Sequence, residues 1–95
     1  MKAQWTIVLT ESSIKEINKM GKSENERIQR FLYEKLLGSD DPRIFGKKLT
    51  GPLHQFWSYR VGDYRIISKI KDDVLTIIVV RVGHRKDVYE QEITH

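Results

Sequence analysis

The 95-residue chain has no cysteine, which excludes a disulfide framework and any thiolate metal site. Long apolar runs are missing too. None approaches the roughly 20 residues that a membrane-crossing helix requires, so no membrane association is expected. The stretch MKAQWTIVLTESS holds only a short apolar patch, already broken by threonine. No secretory signal is therefore expected, and the predicted location is the cytoplasm. The glycines form neither a phosphate-binding loop nor a dinucleotide fingerprint, and there is no Gly-x-Ser-x-Gly elbow. Carboxylates and histidines never cluster at metal-ligand spacing. Nucleotide-cofactor enzymes, serine hydrolases and metalloenzymes are set aside, and neither cofactor nor metal is expected.

Acidic residues are scarce in one part of the chain. Residues 43–86 hold ten lysines and arginines against Asp63, Asp72 and Asp73, a net +7. Residues 1–42 balance at seven of each sign, and residues 87–95 carry −3. Positive charge concentrated this way points to a polyanionic partner, most often nucleic acid. The length fits one domain, residues 1–95.

What is present reads as an α+β fold in the order β-α-α-β-β-β. Residues 4–9, QWTIVL, are β-branched and aromatic and predict a strand. Two Ser-x-x-Glu boxes, Ser13–Glu16 and Ser23–Glu26, predict helix starts, with Gly21 and Gly38 as the matching ends. Ile14, Ile17 and Met20, then Ile28, Phe31, Leu32 and Leu36, give each helix an apolar stripe. A two- or three-residue link makes them a hairpin. FGKKLTG, residues 45–51, reads as loop. From Phe56 the period changes to two, with Gly62-Asp63 as a hairpin turn and Asp72-Asp73 as a second turn. Residues 74–82 are apolar on both faces, which predicts a central strand.

Alternation in the hairpin makes Arg60 and Arg65 cross-strand neighbours on one face. Opposed guanidiniums repel, so a carboxylate, solvent or a bound phosphate must offset them. An Arg60–Asp63 ion pair is the plain solution. Arg85 and His84 close the last strand, where a meander brings them near the hairpin. Guanidiniums match phosphate oxygens bidentately, and histidine suits proton transfer with an unperturbed pKa of ~6.5. Lys47, Lys48, Lys69 and Lys86 are candidates for RNA contacts, and Tyr89 for stacking or proton donation. Such a set can cleave RNA through its own 2′-hydroxyl, without a metal.

The stretches GKKLTG, FWSYRVGDYRIISKI and IIVVRVGHRKDVY resemble the RelE toxin family of type II toxin–antitoxin systems, within the RelE/ParE superfamily. YRVGDYRI at 59–66 and VGHRKDVY at 82–89 carry the resemblance most sharply. It implies a mainly antiparallel, RelE-like α+β fold and a small endoribonuclease that cuts mRNA in the ribosomal A site. It further implies inhibition by a cognate antitoxin protein, with no second copy of the chain required. Arg65, Arg85 and Tyr89 fall on the family's site positions. The strand positions that carry lysines in RelE are Phe56 and Ser58 here. The YoeB branch is closer, with an arginine matching Arg60 and a histidine like His84, although its glutamate base has Lys47 and Lys48 in its place. His84, then Tyr89, are the expected bases. Two alternatives remain: a ParE-like toxin that poisons DNA gyrase, and a relative that only binds antitoxin.

Overall fold

The structure, a computed structural model, describes residues 4–84. The β-branched start forms β1, Thr6–Leu9. The next helix begins earlier than the sequence boxes predict. Thr10 is its cap: its backbone is extended and its hydroxyl accepts from the Ser13 N–H at 3.2 Å. Helix α1, Glu11–Asn18, thus contains Ser13, which is buried and donates its hydroxyl to the Thr10 carbonyl at 2.8 Å. Glu16 is freed from capping and reaches Arg81 and the Val82 N–H instead.

Helix α2, Lys22–Arg30, starts from the extended backbone of Gly21, with no side-chain cap. Gly21 therefore opens this helix rather than closing α1, whose last cap is Lys19. The helix continues through a wider π-helical segment, Phe31–Leu36. Ile28, Leu32 and Leu36 are fully buried along it, as their spacing predicts.

Five strands form one sheet in the order β1-β5-β4-β3-β2. GKK, expected as loop, is the short edge strand β2, Gly46–Lys48. It pairs antiparallel with β3, Phe56–Val61. Strand β4, Tyr64–Lys71, follows across Gly62-Asp63. Gly62 has φ 60°, the left-handed conformation that calls for glycine in this turn. Strand β5, Thr76–His84, lies between β4 and β1 and runs parallel to β1. That placement agrees with its two apolar faces.

The helices cover one face of the sheet. Tyr59, Ile66, Ile77, Val79 and Val82 point into that core with Ile17, Ile28, Leu32 and Leu36. The other face carries a smaller cluster of Leu49, Leu53, Phe56 and Ile67. A bulge marks β5, because Ile67 faces Arg81 and Ser68 faces Val79, leaving Val80 as the extra residue. Beyond the end of β1 the Val82 N–H would lack a strand partner. Glu16 supplies one at 2.9 Å and pairs with Arg81 at 3.0 Å.

Candidate active site

The register decides which cations meet. Arg60 stands directly opposite Arg65, as alternation predicts, and Arg65 is opposite Gly83 on β5. One row away, Lys47, Ser58 and Ile67 are successive cross-strand partners. Lys69 pairs with Phe56, its ammonium 5.5 Å above that ring. Because Phe56 and Ile67 belong to the smaller cluster, all these side chains share the open face, away from the helices. Lys47, Leu49, Thr50, Ser58 and Arg65 line a cleft there of about 420 Å³.

Arg60 does not use Asp63; its Nε donates to the Gly62 carbonyl at 3.4 Å. Among the described residues no carboxylate pairs with Lys47, Arg60, Arg65 or Lys69. Two other cations of the basic region, Arg43 and Arg81, are neutralised. Arg43 is held between Asp41 and Asp72, and its hydrogen bond to Asp72 raises the guanidinium above its ordinary value. Arg81 has Glu16. Among the described residues nothing offsets the positive charge of the open face, and a cleft lies beside it.

Two expected residues fall elsewhere. Lys48 pairs with Trp57, which packs against the main core, so it lies on the helix-bearing side and not beside Lys47. His84 pairs with Tyr64, their rings edge-on with centroids 5.7 Å apart. Tyr64 packs toward the helices, so the imidazole sits at the sheet's rim, one row beyond the Arg60–Arg65 pair and on the other face. Arg85, Lys86 and Tyr89 lie outside the described residues.

Ser58 is the residue that sequence reasoning passed over. It is only 6% exposed, it lines the cleft, and its hydroxyl has no hydrogen-bond partner. A small polar residue between Trp57 and Tyr59 was the available signal. Tyr59, by contrast, has no site role. It is fully buried, its hydroxyl donates to the Pro42 carbonyl at 3.0 Å, and burial pushes that hydroxyl well above the usual tyrosine range.

A helical hairpin lies on one side of a five-stranded sheet, and on the other side Arg60 and Arg65 have no carboxylate partner among the described residues. Between Ile7 and Tyr89 the chain matches the family model of the ParE toxin of type II toxin–antitoxin systems, parDE. It is similar to toxin RelG of Mycobacterium tuberculosis, at 29% identity over 92% of this chain and 98% of that protein. It is also similar to the mRNA interferase toxin RelE of Escherichia coli, 30% identical with 87% of each covered. The crystal structure of the RelBE2 toxin–antitoxin complex from Mycobacterium tuberculosis gives a TM-score of 0.80 at 26% identity. That match covers 87% of this chain and 100% of the other. The chain belongs to the RelE/ParE family of type II toxins.

Proposed function

We propose that this toxin is an endoribonuclease that enters the ribosomal A site in the cytoplasm and cuts the mRNA there. Arg65 holds the scissile phosphate and Arg60 adds to the field. The 2′-hydroxyl attacks the phosphorus, and the arginines stabilise the extra negative charge of the phosphorane. Tyr89, the second of the expected bases, takes the 2′-hydroxyl proton, and Arg85 extends the site. Lys47, Lys69 and Lys86 contact the RNA backbone. A cognate antitoxin with an acidic segment covers the basic face and keeps the toxin silent.

One observation carries this reading: Arg60 and Arg65 oppose each other beside a cleft, with no carboxylate paired to either among the described residues. A phosphodiester relieves that repulsion, and bidentate geometry favours it over a simple chloride. The curated relatives named as RelE-type toxins favour RNA, whereas the family description favours the ParE reading.

Expression without antitoxin tests both. Growth arrest with new 5′ ends inside coding regions is expected, and Arg65→Ala should relieve it in a chain that still folds. A DNA-damage response with intact transcripts would establish the ParE-like alternative. A harmless wild-type chain would leave only antitoxin binding.

A further inference from the structure

The residues lining the cleft fall into three chemical kinds. Leu49 is inert. Thr50 and Ser58 carry hydroxyls that hold their protons far above neutral pH. Arg65 stays charged at any working pH and passes no proton. That leaves Lys47, whose ammonium is both a cation and a proton donor. Among the described residues, then, the cleft has one lining group suited to proton transfer. It comes from the edge strand.

The backbone around Lys47 is fixed. Gly46, just before it, lies so close to Tyr59 that a Cβ would stand 2.8 Å from the ring. Lys47 itself is exposed and faces Ser58 across the β2–β3 ladder. Beneath it the Ser58 hydroxyl is buried without an acceptor. An ammonium, a guanidinium and an orphan hydroxyl thus converge on one small space, and among the described residues none of them is paired with a carboxylate. All three are donors. The occupant that fits is an acceptor-rich group, such as a phosphodiester with its leaving oxygen.

We propose that Lys47 is the general acid of the cleavage reaction, protonating the departing 5′-oxygen, with the Ser58 hydroxyl donating to a non-bridging phosphate oxygen. This rests on the endoribonuclease reading above. The bond from the 2′-oxygen to phosphorus forms as the bond from phosphorus to the 5′-oxygen breaks. The general base of the site takes the 2′-hydroxyl proton and the Lys47 ammonium gives one to the 5′-oxygen. The products are a 2′,3′-cyclic phosphate and a 5′-hydroxyl, and water resets both side chains.

The test uses single-turnover cleavage of mRNA on ribosomes by the full chain, measured across pH. Lys47→Arg keeps the charge and abolishes proton donation. It should cut at least about 100-fold more slowly, the range of general acid catalysis, while ribosome binding stays within about threefold. An mRNA with sulfur replacing the bridging 5′-oxygen leaves as a thiolate and needs no acid. On that substrate Lys47→Arg should return to within about fivefold of wild type. Normal cleavage of ordinary mRNA by Lys47→Arg overturns the assignment, and so does a defect that persists undiminished on the sulfur substrate. If the wild-type chain cleaves nothing, the endoribonuclease reading fails with it; if wild type cleaves and Lys47→Arg matches it, only the role of Lys47 fails.

Discussion

The two faces of the sheet follow opposite rules. On the helix-bearing face almost every group is matched. Tyr59 reaches Pro42, Glu16 accepts from the Val82 N–H, and aliphatic side chains fill the rest. On the open face Arg60 opposes Arg65, Lys47 stands over a buried unpartnered hydroxyl, and no carboxylate intervenes among the described residues. The same six-residue strand, β3, serves both faces through alternate side chains. The main core lies on one side and the proposed site on the other, so substitutions should separate stability from activity.

The largest effect belongs to the closed face. Leu32→Ala leaves a cavity in a fully buried position and should cost about 2–5 kcal/mol in denaturant unfolding. Any remaining folded molecules should cleave normally. Arg65→Ala is the mirror image. It removes a donor aimed at developing charge, so cleavage should fall about 10²–10³-fold. Stability should hold or rise by up to about 1 kcal/mol, because a like-charge cross-strand contact disappears. A drop in melting temperature matching the drop in activity would dissolve the division between faces.

Tyr59→Phe probes the closed face with a pH signature. It removes the hydrogen bond to Pro42 and should cost about 0.5–1.5 kcal/mol at neutral pH. Burial raises the phenol above its ordinary value of 10.0, so the folded chain holds the proton more tightly than the unfolded chain. The stabilising contribution is complete below about pH 10 and fades as pH rises past it. The gap between wild type and Tyr59→Phe in unfolding free energy should therefore narrow at alkaline pH.

Much of this division was legible in the sequence. Period-two alternation around Gly62-Asp63 placed Arg60 against Arg65, and helical spacing placed Ile28, Leu32 and Leu36 in the core. What escaped was set by contacts distant in sequence. Strand β2 is three residues long and acquires its conformation from β3, so no local pattern announces it. Thr10 displaced Ser13 as cap because both side chains suit that role, and the end of β1 determined which was used. The bulge at Val80 and the reach of Glu16 to Val82 have no local signature either. His84 was expected beside the arginines, yet the parity of a single residue turned it toward Tyr64.

The smallest predicted effect compares the faces most directly. Ser58 and Ser68 both bury hydroxyls without partners, Ser58 beside the cleft and Ser68 opposite Trp57 on the closed side. Each hydroxyl has lost its water without gaining an acceptor, so alanine at either position should stabilise by about 0.5–1 kcal/mol. Folding alone cannot tell them apart. Ser68→Ala should leave cleavage unchanged, because it lies on the face away from the proposed site. Ser58→Ala should slow it several-fold, because its hydroxyl waits for an acceptor that only substrate supplies. Equal activity in the two variants would mean that both hydroxyls are tolerated packing defects and that the open face ends at its arginines.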